Sequence, residues 1–234
     1  MEHIVIQTES LPEKCSSWLE TRCKLFVCGP ETQQFQDLLP LAHGIVIRTY
    51  TTITRSIIES APSLKVIARA GVGVDNIDLE ACEDHGITVV NTPQANQDSV
   101  AEFVISRLLS KLRRTTFVID ELSQEDWNHL RQRSITAREF SQIKLGIIGF
   151  GGVGQKLGNL AAHIGFNVSF HDIKRIPCSS RFSQCSLEEI LHDSNVISIH
   201  VDGRSSNKHF CNSSFFKKIK TDCLFVNTSR GFVV

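Results

Sequence analysis

Through the first ninety residues, short apolar runs alternate with stretches whose apolar positions recur every three or four residues. The runs at 3–8, 24–28, 44–48, 64–68 and 87–90 are rich in Ile, Val and Leu and too short for helices, so they read as strands. Between them, 31–39, 54–60 and 78–84 carry helical spacing. Such alternation predicts a parallel sheet with helices on both faces. Residues 99–113 then form a longer helix, with Val100, Phe103, Val104, Leu108 and Leu112 as an apolar stripe and Asp98 as its N-cap. A polar stretch, 123–141, leads into a second alternating series. Its strands are 144–148, 167–171, 195–200 and 223–227, and its helices lie near 152–164, 187–192 and 213–218. The pattern predicts two α/β domains, 1–96 and 97–234.

Composition narrows the partners. With 25 basic and 25 acidic side chains, the chain has no electrostatic footprint for nucleic acid or a membrane surface. The cluster Lys111, Arg113 and Arg114 closes a helix, where cations suit the dipole. No apolar run approaches the roughly 20 residues that span a bilayer, and the first residues lack the layout of a secretory leader. The eight cysteines (15, 23, 28, 82, 178, 185, 211 and 223) form no C-x-x-C pair and no zinc spacing, so no metal is expected. Cys28, Cys82 and Cys223 sit in apolar segments and read as small core residues in a reducing, cytoplasmic setting.

The chemistry begins after the strand at 144–148. Gly149-Phe150-Gly151-Gly152-Val153-Gly154 is G-x-G-x-x-G running from a buried strand into a helix. Gly149 permits the tight turn, Gly151 lets the backbone approach a pyrophosphate, and Gly154 allows close helix–strand packing. Phosphates would lie at the helix N-terminus against free N–H groups. Asp172 ends the next strand, where a carboxylate binds a ribose diol and repels a 2′-phosphate, favouring NAD over NADP. Lys174 and Arg175 beside it would temper that preference.

The segment Arg69-Ala70-Gly71-Val72-Gly73-Val74-Asp75-Asn76-Ile77-Asp78 resembles a signature of the D-isomer-specific 2-hydroxyacid dehydrogenases, as do Asn91-Thr92-Pro93, the glycine fingerprint and Asn227-Thr228-Ser229-Arg230-Gly231. The resemblance implies two doubly wound parallel-sheet domains: a flavodoxin-like substrate domain and an incomplete Rossmann domain for NAD. It implies oxidation of a small D-2-hydroxy acid by a homodimer packed around the helix at 99–113. The wording at 73–78 and at Val46-Ile47-Arg48-Thr49 is most like the branch acting on 3-phosphoglycerate. Glyoxylate or hydroxypyruvate reduction and a non-catalytic, NAD(H)-sensing corepressor-like role are the alternatives.

Residue by residue, the resemblance gives the amides of Ala70, Gly71, Val72 and Gly73 to the substrate carboxylate, and Arg48 to its phosphate. Arg230 becomes the catalytic cation, binding the carboxylate and polarising the carbonyl. Thr228 and Ser229 line the nicotinamide, Gly152 and Val153 lie over the pyrophosphate, and Val201 lies on the adenosine side. The sequence departs from the family at 201–207, where a proline-bearing turn is usual, and at 142–144, where Gly-Lys-Thr is common. The family's acid–base pair, a Glu and a His, follows the Asn-x-x-Arg-Gly turn and is expected beyond Val234. His171, His192 and His200 read as structural. The 234 residues are therefore expected to be the cofactor-recognising portion of a longer enzyme, inactive alone and of low stability. The substrate domain would lack its C-terminal return, and the strand at 223–227 would be left at or near a sheet edge.

Overall fold

The computed structural model describes residues 2–113, 116–177 and 179–234; Met1, Arg114 and Cys178, which entered the sequence reading, lie outside them. Two compact units result, Met1–Asn96 and Gln97–Val234.

In the first unit, β1 (Ile4–Gln7), β2 (Lys24–Val27), β3 (Gly44–Ile47), β4 (Val66–Arg69) and β5 (Thr88–Asn91) alternate with α1 (Glu13–Glu20), α2 (Gln33–Leu38), α3 (Arg55–Glu59) and α4 (Leu79–Asp84). All pairings are parallel, in the order β2-β1-β3-β4-β5. This is the flavodoxin-like order, which reverses between β1 and β3. Ile6, Ile45, Ile47 and Ile67 fill the sheet's core, with Phe35, Leu39 and Ile58 packed on them. Thr32, Thr54 and Asp78 cap α2, α3 and α4 by accepting backbone N–H groups, which sets where each helix starts.

The second unit opens with α5 (Gln97–Leu112) and α6 (Gln124–Arg133). There follow β6 (Lys144–Ile148), α7 (Gly152–Ile164), β7 (Asn167–His171), β8 (Ser183–Gln184), α8 (Leu187–Asp193), β9 (Val196–Ile199), α9 (Ser213–Phe216) and β10 (Leu224–Asn227). The parallel sheet runs β10-β9-β6-β7-β8. Counted from β6, this is the 3-2-1-4-5 order of dinucleotide-binding sheets, and it reverses between β6 and β9. β9 is buried at all four positions, as a central parallel strand must be. One face packs on α5 and α7 through Val104, Leu108, Leu157 and Ala161. The other gathers Ile190, Leu191, Phe215 and Val233. β10 is one edge strand and β8 the other. Among the described residues no helix is long and apolar enough to cross a membrane.

The structure corrects the sequence reading at five places. Helix α5 begins at Gln97, so Asp98 lies in its first turn rather than at its N-cap and pairs with Lys156 at 2.9 Å. Its buried stripe is Ala101, Val104, Ile105 and Leu108, while Phe103, expected inside, is exposed. Residues 124–133 of the polar stretch are helical, capped by Ser123, with Glu125 and Asp126 in the first turn and Arg131 and Arg133 in the last. Helix α1 and the two-residue β8 have no counterpart among the expected elements.

Candidate functional site

In the second unit the site assembles where the strand order reverses. Gly149 leaves β6 at φ 90°, a conformation open to glycine and costly for other residues. A Cβ there would lie 2.8 Å from the carbonyl carbon of His200 at the end of β9. Gly154 is held as closely, since a Cβ on it would collide with the Gly149 carbonyl. Gly151 is the N-cap of α7, offers no side-chain cap and has open space where a Cβ would stand. The first turn of α7 therefore meets no side-chain cap, as an anion cradle requires. Gly152 faces the side chain of Gln97, a neighbour that sequence reasoning did not find. Val153, next along, is half-buried.

Asp172, just past β7, accepts the Phe150 N–H at 2.8 Å through Oδ2 and the Lys174 N–H at 2.9 Å through Oδ1. The carboxylate is thus fixed against the glycine turn. Each oxygen keeps a lone pair for a further donor such as a ribose hydroxyl.

The ends of β9 and β10 are cross-linked by hydroxyls. The Thr228 hydroxyl lies 3.0 Å from His200 Nδ1, and the Ser229 hydroxyl donates to the Val201 carbonyl at 2.6 Å. Asn227 closes the turn, accepting the Ser229 N–H at 2.9 Å and donating to the Arg230 carbonyl at 3.0 Å. Arg230 is half-buried, and its Nη1 donates to the Ser229 carbonyl at 3.1 Å. His200 has Ser198 Oγ on its other nitrogen at 2.8 Å. Burial lowers its pKa from the ordinary 6.5 to about 4, which keeps the imidazole neutral. Gly149, Val201, Thr228 and Ser229 are therefore joined through His200 and its neighbours. In the loop that departs from the family pattern, Asp202 accepts from the Arg204 guanidinium and from Asn207 at 3.0 Å.

In the first unit Arg48, Ala70, Gly71, Val72 and Gly73 follow β3 and β4. Arg48 is exposed, and its Nη1 donates to the Ser10 carbonyl at 2.9 Å. The Ala70 and Gly71 amides are engaged by the carbonyls of Ile47 (2.9 Å) and Arg69 (2.8 Å). Among the described residues, no hydrogen bond from the Val72 or Gly73 amide accompanies these. Arg69, which sequence reasoning passed over, spans the two loops: Nε donates to the Arg48 carbonyl at 3.0 Å and Nη1 to the Gly73 carbonyl at 2.5 Å. Its guanidinium fills the space where a Gly71 Cβ would stand. Its place at the strand's last residue was the available signal. A cavity of about 520 Å³ opens between α1 and the sheet, walled by Trp18, Leu19, Val46, Ala68 and Val90.

The family described as D-isomer specific 2-hydroxyacid dehydrogenase, catalytic domain, matches residues 5–224. The chain is 32% identical to the hydroxypyruvate reductase of Thermotoga maritima over 201 residues, covering 86% of this chain and 65% of that protein. It is 35% identical to the D-3-phosphoglycerate dehydrogenase of Escherichia coli over 205 residues, covering 87% of this chain and 49% of that one. The chain thus spans less than two thirds of each relative. Among solved structures, the NAD-dependent formate dehydrogenase of Staphylococcus aureus, in complex with NAD, superposes with a TM-score of 0.80 at 25% identity, over 99% of this chain and 75% of that one.

Proposed function

The chain belongs to the D-isomer-specific 2-hydroxyacid dehydrogenase family, and from that premise we propose that residues 97–234 bind NAD and that the protein oxidises a D-2-hydroxy acid, 3-phosphoglycerate first among candidates. The observation that carries the cofactor reading is the turn at β6: Gly149 at φ 90°, an α7 N-terminus without a side-chain cap, and Asp172 fixed against the Phe150 amide. That arrangement fits a dinucleotide: the N–H groups of α7 suit a pyrophosphate, and Asp172 suits a ribose diol while repelling a 2′-phosphate. Bound there, NAD would supply the acceptor for the hydride that leaves C2.

The chain's own part is electrostatic. Arg230, in a turn closed by Asn227, would hold the substrate carboxylate and stabilise negative charge developing on the C2 oxygen. The amides of Val72 and Gly73 would serve the carboxylate, and Arg48 the phosphate. Proton transfer calls for an acid–base pair, and His200 is unsuited to it because both ring nitrogens face hydroxyls. The reading therefore concerns a polypeptide that supplies the pair in addition to these residues. It includes a homodimer built around α5, whose Phe103 is 54% exposed.

The test uses the 234 residues directly. NADH should bind with quenching of protein fluorescence and more tightly than NADPH. Gly151→Val, placed in open space, should fold as the parent does and lose NADH affinity at least tenfold. A folded chain that ignores NADH, or a Gly151→Val variant that binds it equally well, would refute the reading. Hydroxypyruvate or glyoxylate reduction is the second reading, favoured by the likeness to the Thermotoga maritima hydroxypyruvate reductase. In a polypeptide with the acid–base pair, Arg48→Ala should raise KM for 3-phosphoglycerate far more than for glyoxylate. Equal effects would favour the second reading. NADH-dependent partner capture without turnover would favour a sensing module instead.

A further inference from the structure

The carboxyl ends of β1 and β3 meet where the strand order of the first unit reverses, the place at which open α/β sheets collect ligands. The loop there is wrapped around a charge. Four consecutive backbone N–H groups converge on the carboxylate of Glu9: Arg48 at 3.0 Å, Thr49 at 2.9 Å, Tyr50 at 3.1 Å and Thr51 at 3.0 Å. Successive amides aimed at one point form the concavity that binds free anions. Burial alone would raise the Glu9 pKa, but the four amide bonds outweigh it and hold the group at about 2.

The carbonyl side of the same loop is held as firmly. Asn76 Nδ2 donates to the Thr51 carbonyl at 2.7 Å and to the Arg48 carbonyl at 3.3 Å, and Arg69 Nε donates to the latter as well. Thr8 and Thr51, both buried, meet through their hydroxyls at 2.7 Å. Out of this fixed loop project the exposed side chains of Arg48 and Tyr50, the latter 90% exposed. Simple turn closure is usually managed by one Asn, Asp or Ser hydrogen bond. Here a full charge reaches across 39 to 42 positions in sequence to take four amides.

We propose that Glu9 is the resident anion of a backbone anion site, and that by filling it Glu9 acts as the positioning residue that presents Arg48 to an anionic substrate. The amides of residues 48–51 are then closed to the substrate, whose phosphate or second carboxylate must be read by the Arg48 side chain. This rests on the role proposed above for Arg48, and the two claims separate experimentally.

The experiment follows the amide resonances of residues 48–51 in the isotopically labelled 234-residue chain. Sodium formate is the probe for the vacated nest, and 3-phosphoglycerate the probe for the substrate side. In Glu9→Ala the four resonances should move upfield, and formate should return them saturably while leaving the parent chain unchanged. Should Glu9→Ala fail to fold, Glu9→Gln, isosteric and neutral, should show the upfield shift without formate rescue, and Glu9→Asp should restore it in part. Parent-like resonances in the variants, or indifference of Glu9→Ala to formate, would overturn the anion site. Affinity for 3-phosphoglycerate should fall about tenfold in Glu9→Ala and recover with formate; unchanged affinity with a vacated nest would overturn the positioning role. Arg48→Ala should lose 3-phosphoglycerate while keeping the four resonances. If it binds as the parent does, or if the parent itself shows no response, the substrate reading of Arg48 fails and the nest stands.

Discussion

At the scale of single residues, His200 is the informative case. Its ring nitrogens sit against the hydroxyls of Ser198 and Thr228, each able to donate or accept, so a neutral ring is satisfied on both sides. Burial favours that neutral form and lowers the pKa to about 4. As pH falls, the unfolded chain binds the proton first. The stabilising contribution is therefore complete above about 6.5 and is lost as pH falls toward about 4. Thermal melts should show the parent losing stability relative to His200→Gln across that window, and parallel curves would refute the assignment. Ser198, two positions away on the same strand face, was legible in the sequence. Thr228 was not, because only the pairing of β9 with β10 brings it there. At Gly149, replacement by Ala should cost about 2 kcal/mol or more, read as a shifted urea midpoint, since φ is 90° and the His200 carbonyl leaves no room.

At the scale of elements, the expected strands and long helices are present, and each departure has its own cause. Periodicity weighs large apolar residues most, so Phe103 was drawn into the α5 stripe. Yet α5 buries Ala101 at 0% exposure, and on α7 Gly152 lies against the Gln97 side chain of α5. Small residues let the two helices approach closely, leaving Phe103 outside with the Arg107 guanidinium 5.3 Å from its ring. Ala101→Leu should therefore destabilise the second unit by about 1–3 kcal/mol through overpacking, whereas Phe103→Leu should change little. Equal midpoints for the two in urea would contradict this packing. α6 escaped notice because none of its residues is buried; its Ser123 cap and its acid-first, base-last charges were the signals to read. β8, at two residues, is shorter than any pattern can register.

At the scale of the whole molecule, each unit has a core of its own: Ile6, Ile45 and Ile67 in one, and Leu145, Leu157 and Phe170 in the other. Ile67→Ala should lower a transition reported by the first unit. NADH at a hundred times its Kd should stabilise the second by about 2.7 kcal/mol. A ligand shift felt equally by both units in calorimetry would show them to unfold as one. The parallel pairing of both sheets was implicit in the strand–helix alternation, whereas the strand orders, which differ between the units, were expected only from the family resemblance. What no local pattern could reveal is which distant groups meet at the strand ends, such as Glu9 with residues 48–51. The pairing order has a further consequence, for synthesis. β2 and β3 flank β1, β4 joins β3 and β5 joins β4, so each new strand docks beside one already made. At about 5–20 residues per second on the ribosome, the first sheet can be complete before β6 is translated. The Glu9 carboxylate can find its amides earlier still, once Thr51 has emerged, before β4 and β5 are made and before Arg69 and Asn76 arrive to clamp the carbonyl side of the loop.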